Sequence, residues 1–427
     1  MPAMQILDEL AERGLLADVT DREGLTDLFA KETVKAYVGY DPTASSLHVG
    51  SLVPTMLLKR LQLAGHRPII VVGGATGMIG DPSGKSDERN LLDDATLQAN
   101  VAGIRDQLAR LLDFTDPNIG AIMTNNADWT RGVTFLEFLR DTGKYLTVNY
   151  MMAKDSVKSR LENESGISYT EFSYMLLQAF DFVELNRAHG CRLQMGGTDQ
   201  WGNITAGCEL SRKMGRAQLF GLTAPLLLDS SGQKMGKTST GERIWLDPAR
   251  TVPFEFYKYW FTVTDADAPR LLKMFSLRPL AEIDALLAEH DADRSKRLAQ
   301  RELARSLTSW VHGDATLARV EAANRVFATY TLDGFTLAEL AALAETIPTV
   351  DIPRSELAAG IGIVDLMART VAESKSDARR TIVQGGAYVN NARVPDDKHK
   401  VGSDALVHDT MLLVRAGKTN LRLVRAV

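Results

Sequence analysis

The stretch KAYVGYDPTASSLHVGSLVPTMLLKRLQLAG, residues 35–65, decides the fold. Its first six residues, KAYVGY, read as a short buried strand. Asp41-Pro42 marks a turn. From Val49 to Ala64 apolar residues recur at helical spacing. A strand that passes through a polar turn into a helix is the building unit of a sheet with helices packed on it. The turn carries His48 two residues before Gly50, so an imidazole and a glycine stand together at the start of the helix. That pairing suits a ligand held against backbone near the positive end of a helix.

The same alternation continues outward from about residue 36 to 228. RPIIVVGG, AIMTNN, CRLQMGG and LTAPLLLD read as further short buried strands, and NLLDDATLQANVAGIRDQLARLLDF as a long helix. The pattern predicts a mostly parallel sheet with helices on both faces, and ligands at the carboxyl ends of its strands. From about 248 to 325 the pattern is helical. ADRSKRLAQRELARSLTSWVHG predicts an amphipathic helix ending at Gly313. Pro348 and Pro353 punctuate a stretch of short helices and linker. GIVDLMARTVAESKSDARRTIVQGGAYVNNARV then reads helix, turn, helix, Gly-Gly turn, strand.

Bulk properties bound the function. Apolar content of 45% and charged content of 24% are ordinary for a globular chain of 427 residues, long enough for two to four domains. There is no apolar run of the length a membrane span needs. The start, MPAMQILDELAERG, is acidic and amphipathic, unlike a signal peptide. Two cysteines, Cys191 and Cys208, make neither a disulfide framework nor a zinc site, so no protein-held metal is expected and a reducing, cytoplasmic setting is. Residues 351–427 carry twelve Lys/Arg against nine Asp/Glu, which is +3, so a net charge of −5 leaves −8 on the rest. A basic tail on an acidic body points weakly to nucleic acid.

Four polar segments carry the chemistry. GGATGMIGDPSGKSDER, 73–89, satisfies neither the P-loop, since Ile79 stands where a glycine is needed, nor the dinucleotide fingerprint. It remains a glycine-rich turn after a strand, with Asp81 suited to an ammonium group and Lys85 and Arg89 four apart. In SYTEFSYMLLQAFDF, 168–182, Ser168 and Glu171 fit a capping box. Tyr174, Gln178 and Asp181 then share one helical stripe, which alone fits either a wet outer face or a binding face. In QMGGTDQWGN, 194–203, Gln194, Asp199 and Gln200 suit hydroxyl groups, while Thr198-Asp199 could also cap the next helix. In SSGQKMGKTSTGER, 230–243, Lys234 and Lys237 flank Gly236 in a loop able to fold over a polyphosphate.

Taken together and in this order, these segments resemble bacterial tyrosyl-tRNA synthetases of class I. HVGS (48–51) resembles the HIGH signature and KMGKT (234–238) the KMSKS loop. YVGYDPTASSLHVG, GGATGMIGDPSGK, TEFSYMLLQAFDF and GGTDQWGNITAG are similar almost word for word. The likeness is strong from about 36 to 313. Further on, SKSDARRTIVQGGAYVNNARV resembles a small RNA-binding module shared with a ribosomal small-subunit protein. Ser51 departs from the signature's last His, and Val38 from a frequent Cys; the tail LLVRAGKTNLRLVRAV keeps only part of the family's basic pattern.

The resemblance implies an α/β fold. A Rossmann-like parallel-sheet catalytic domain over 1–228, with an N-terminal helical arm, is followed by the signature loop and an α-helical anticodon-side domain over 229–325. A linker over 326–352 leads to a small α+β RNA-binding domain over 353–427. It implies ATP-dependent ligation of L-tyrosine to tRNA(Tyr) through tyrosyl-adenylate, with Mg²⁺ on the phosphates, in a cytoplasmic homodimer. Thr43, His48, Lys85, Arg89, Lys234 and Lys237 would stabilise the phosphates. Tyr37 and Asp181 would hold the phenol, and Asp81, Tyr174 and Gln178 the ammonium. Gly39, Asp41, His48, Gly50, Ser51, Asp199, Gln200 and Lys237 would line the ATP site. Two alternatives stay open: a tryptophanyl-tRNA synthetase, and a catalytically inactive RNA-binding paralogue. The Tyr37/Asp181 pair disfavours the first; His48, Gly50, Lys234 and Lys237 disfavour the second.

Overall fold

In the computed structural model, which describes residues 5–83, 93–161, 166–238, 240–418 and 420–427, the 35–65 stretch runs strand, 3₁₀ turn, helix. It belongs to a six-stranded sheet: β1 (Asp18–Val19), β2 (Lys35–Tyr40), β3 (Arg67–Val72), β4 (Ile122–Asn125), β5 (Leu193–Gly197) and β6 (Phe220–Ala224). The spatial order is β1-β6-β5-β2-β3-β4. All neighbours are parallel except β1, which pairs antiparallel with β6. Pro68 to Val72 and all of β6 are buried, as expected for strands covered on both faces. The expected fifth strand, LTAPLLLD, is displaced: β6 begins two residues earlier and stops at Ala224, because Pro225 cannot donate to a ladder.

The covering helices are α1 (Leu52–Leu63), α2 (Asp94–Leu111), α3 (Tyr169–His189) and α4 (Trp201–Lys213). α3 starts at Ser168, whose hydroxyl accepts the Glu171 N–H at 3.2 Å, and ends on Gly190 at φ +69°. The capping box predicted there is diverted. Both Glu171 oxygens accept the Arg160 guanidinium at 2.9 Å, and both side chains are buried. Asp199 does not cap α4 either: no side chain caps that helix, and Asp199 lies in the 3₁₀ turn Thr198–Gln200 before it.

α5 (Pro253–Phe261), α6 (Ala268–Phe275), α7 (Leu280–Ala292) and α8 (Leu298–His312) follow. α8 begins six residues later than its sequence pattern implied, at Leu298 instead of Ala292, since Arg297 takes a left-handed conformation at φ +50°, and it ends before Gly313 at φ +86°.

Compactness divides the chain once, into Met1–Val311 and His312–Val427. In the second unit β7 (Thr349–Ile352), β9 (Ala387–Val389), β10 (Ala392–Arg393), β12 (Met411–Ala416) and β13 (Asn420–Ala426) form a sheet of order β10-β9-β12-β13-β7, and β8 (Ile361–Gly362) pairs with β11 (Lys400–Val401). The stretch read as a linker therefore contains a strand of this sheet, β7, parallel to β13. Helices α9 (Ile363–Thr370) and α10 (Lys375–Val383) pack on it around Leu366, Met367, Leu412 and Val424. Among the described residues no helix is long and apolar enough to cross a membrane.

Candidate active site

The strand order reverses between β2 and β5, so the crevice expected at a switch point lies beyond these two strands. They pair only at Ala36–Leu193 and Tyr37–Gln194, although β2 continues to Tyr40 and β5 to Gly197. A cavity of about 540 Å³ opens there. Tyr37, Gly39, Asp41, Thr43, His48, Gly50, Ser51, Asp81, Tyr174, Gln178, Asp181, Asp199, Gln200, Lys234 and Lys237 all line it. Lys85 and Arg89 lie outside the described residues.

One end of the cavity is sealed. Tyr37 and Asp181 are 2% and 4% exposed, so their polar atoms are cut off from bulk solvent and reach only the cavity. The Asp181 carboxyl accepts Asn126 Nδ2 at 2.9 Å and Trp129 Nε1 at 2.7 Å. Asn126 Nδ2 also donates to Thr76 Oγ1 at 2.9 Å. Burial pushes the Asp181 carboxyl up to about 7, against the pull of those two donors. Burial, and then the charge of Asp181, hold the Tyr37 phenol well above its ordinary value. Tyr37 Oη and Gln194 Oε1 have no hydrogen-bond partner among the described residues. Buried polar atoms are normally paired, so two orphans facing one cavity mark a place for a ligand hydroxyl.

The middle of the cavity is a polar net centred on carboxylates. Tyr174 Oη donates to Asp41 at 3.2 Å. Gln200 Nε2 donates to Asp81 Oδ2 at 2.6 Å, and Gln178 Nε2 to Gln200 Oε1 at 3.3 Å. Asn203 Nδ2 lies within 3.2 Å of both Gln178 Oε1 and Gln200 Oε1. Burial, then Asp81, raise the Asp199 carboxyl, and Lys234 opposes them. Three aspartates and two amide oxygens converging here suit a cation or hydroxyl groups.

The open end is cationic. His48 caps the 3₁₀ turn Val49–Ser51: its Nδ1 accepts the Gly50 N–H at 3.0 Å, which leaves Nε2–H as the donor of a neutral ring. Burial, then the charge of Arg243, push this imidazole down to about 4. A Cβ at Gly50 would stand 2.7 Å from His48 Cε1, so the glycine makes room for the imidazole as well as for any ligand. The lysine loop is laddered onto this turn. Ile244 N–H donates to Gly236 O at 3.0 Å, Val49 N–H to Ile244 O at 3.2 Å and Leu246 N–H to Leu47 O at 2.8 Å. Gly236 sits at φ +121°, a backbone that side chains rarely adopt, and its N–H donates to Tyr259 Oη on α5 at 2.9 Å.

Sequence inspection left Asn126, Trp129, Thr76, Asn203 and Arg243 unassigned. Asn126 and Trp129 follow β4 directly, at the carboxyl end of a parallel strand, and that position was the available signal. Asn203 lay inside a quoted motif. Among the described residues no group of three or more His, Cys, Asp or Glu is placed to hold a metal ion.

A mostly parallel sheet with a buried polar end, a carboxylate centre and a cationic rim at its switch point suits a site that holds a small polar substrate beside a polyphosphate. The chain belongs to the class I tRNA synthetase family of the tryptophan and tyrosine enzymes: the family model "tRNA synthetases class I (W and Y)" matches residues 30–328. Residues 339–424 match the "Tyrosine--tRNA ligase SYY-like C-terminal domain". Among curated relatives, the tyrosine–tRNA ligase of Rhodopirellula baltica is 47% identical over 98% of this chain and 96% of its own. That of Roseiflexus castenholzii is 46% identical over 99% of each. A C-terminally truncated mitochondrial tyrosyl-tRNA synthetase of Aspergillus nidulans superposes with a TM-score of 0.69 at 33% identity, covering 75% of this chain and 93% of that one. A tryptophanyl-tRNA synthetase of Encephalitozoon cuniculi shares the fold, with a TM-score of 0.53 at 17% identity over 78% of this chain and 89% of its own.

Proposed function

We propose that this chain activates L-tyrosine with ATP to tyrosyl-adenylate and transfers the tyrosyl group to tRNA(Tyr). One observation carries the choice of amino acid: the unpartnered Tyr37 Oη stands with Asp181 at the sealed end of the cavity. A substrate phenol would accept from Tyr37 and donate to Asp181. An indole offers only a donor, which would leave Tyr37 Oη unpaired. The substrate ammonium would rest on Asp81, Tyr174 and Gln178, and its carboxylate would point towards the cationic rim.

In the first step a carboxylate oxygen of tyrosine attacks the α-phosphorus of ATP. The bond from that phosphorus to the bridging oxygen breaks and pyrophosphate leaves. The nucleophile is already an anion near neutral pH, so no general base is needed. Acceleration comes from holding the reactants in line and from donors aimed at the charge developing on the leaving phosphates. Thr43, His48 as a neutral donor, Lys234 and Lys237 supply them, with Lys85 and Arg89 assigned the same task by resemblance. Asp199 and Gln200 would meet the ribose, with Gly39, Asp41, Gly50 and Ser51 along the nucleotide. A Mg²⁺ travelling with ATP would be held by phosphate oxygens and water and would neutralise phosphate charge. In the second step a hydroxyl at the tRNA 3′ end attacks the carbonyl carbon and AMP leaves.

The second unit would hold tRNA, and the enzyme would work in the cytoplasm as a homodimer. The dimer has physical support in Phe135 and Leu136, 66% and 76% exposed, close in sequence to the exposed Val148 and Met152. Light scattering of the intact chain tests it, and a monomer at micromolar concentration would exclude it. The activity is tested by pyrophosphate exchange with tyrosine, tryptophan and phenylalanine, followed by charging of tRNA. Exchange that depends on tyrosine alone is expected; exchange with tryptophan instead would overturn the assignment.

A further inference from the structure

Arg243 has no place in the roles assigned above, yet it lines the same cavity. It is the bridge partner of Lys237 across the short antiparallel ladder, beside the hydrogen bond from Thr238 N–H to Glu242 O at 2.7 Å. Directly opposed residues of such a ladder project to one face with their Cβ atoms about 5 Å apart, and like charges so placed repel. Among the described residues neither Lys237 nor Arg243 has a carboxylate within ion-pair range. Two cations placed in this way form a site that an anion can bridge.

The guanidinium is also held in place. Its carbon lies 5.2 Å from the centre of the Trp245 ring. That ring carries Arg250 at 3.4 Å and meets His48 edge-on, with ring centroids 6.4 Å apart. Arg243 thus belongs to the cationic rim of the cavity, away from Asp181. We infer that Arg243 is a further catalytic residue: it grips the terminal phosphates of the nucleotide together with Lys237, and the pyrophosphate they become. The inference rests on the cavity being an ATP site. A planar guanidinium offers two parallel donors to one phosphate, which an ammonium cannot. Burial first, and then the charge of Arg243, keep the His48 imidazole a neutral donor beside the cationic Lys234, Lys237 and Arg243.

The test is pyrophosphate exchange by the full-length Arg243→Ala and Arg243→Lys variants, with ATP and tyrosine varied separately, and single-turnover transfer from preformed adenylate to tRNA. Arg243→Ala should lower kcat/KM for ATP about 10- to 100-fold, the worth of a charged hydrogen bond. The KM for tyrosine and the transfer rate should stay within about two-fold of wild type. Arg243→Lys should recover part of the loss. Unchanged ATP kinetics, or a defect in tyrosine binding, would sink the inference. So would a lowered melting temperature with ATP kinetics intact, which would mean that Arg243 only packs on Trp245. If the wild-type protein shows no tyrosine-dependent exchange, the proposed function fails instead. Equilibrium binding of ATP and of inorganic pyrophosphate to wild type and Arg243→Ala then decides: weaker binding by the variant upholds Arg243, and equal affinities overturn it.

Discussion

At Asp181 two demands conflict. Burial favours the protonated carboxyl, while Asn126 and Trp129 aim donors at both oxygens and favour the anion. The balance leaves the group near neutrality, at about 7 against an ordinary 3.8. A raised pKa in the folded state means that the unfolded chain loses this proton first. Wild type should therefore lose stability, relative to Asp181→Asn, as pH rises from about 4 to about 7. Denaturation followed by tryptophan fluorescence at pH 5 and pH 8 checks the sign; all five tryptophans lie before residue 312, so the signal reports the first unit. A difference between the two proteins that is the same at both pH values would contradict it. Function gives a second expectation for the same residue. A site that hydrogen-bonds a phenol leaves buried groups unpaired when phenylalanine enters. Tyrosine enzymes of this class are the established instance, and the figure of about 10⁵-fold belongs to them. Asp181→Ala should lose most of that discrimination and most kcat/KM for tyrosine, read by exchange with each amino acid. Asp181 and Tyr37 were legible in sequence as members of motifs. Asn126 and Trp129 were not, since their role exists only through contact with a residue more than fifty positions away.

At the scale of elements, α3 presents Tyr174, Gln178 and Asp181 to the cavity, so its position sets the site. The Arg160–Glu171 pair ties the first turn of α3 to the helix Asp155–Leu161, with side chains 4% and 3% exposed. Removing one partner of a buried pair strands the other charge. Arg160→Ala should cost about 3–5 kcal/mol in the first unit, by the same fluorescence measurement. A loss below about 1 kcal/mol would mean that water reaches the pair and that it behaves as a surface bridge. The sequence pointed Glu171 back at Ser168; nothing local could foretell that a guanidinium eleven residues upstream would take its carboxylate instead.

At the scale of the molecule, the two units are assigned different partners, ATP and tyrosine for the first and RNA for the second. Binding to a phosphate backbone releases counterions, so the KM for tRNA should climb steeply with salt, with a log–log slope of about 0.7–0.9 per phosphate contact. Pyrophosphate exchange, confined to the first unit, should depend on salt far less. Aminoacylation and exchange measured across one salt series compare the two; parallel slopes would count against an RNA-binding second unit.

The local grammar of the chain was enough for the strand-turn-helix alternation and for polar, glycine-bearing turns at the carboxyl ends of strands, because hydrophobic period and turn residues are written into short stretches; some members of the lining, Tyr37, Gly39, Asp41, Thr43 and Ser51, were named only through the family likeness. Those stretches also carry the family likeness. Tertiary structure alone decided the antiparallel first strand, the incorporation of Thr349–Ile352 into the second sheet, the diversion of Glu171 to Arg160, and the standing of Lys237 opposite Arg243. Each of these is a pairing between distant or differently aimed groups. Its energy depends on burial and on what lies across the gap, which no window of sequence contains.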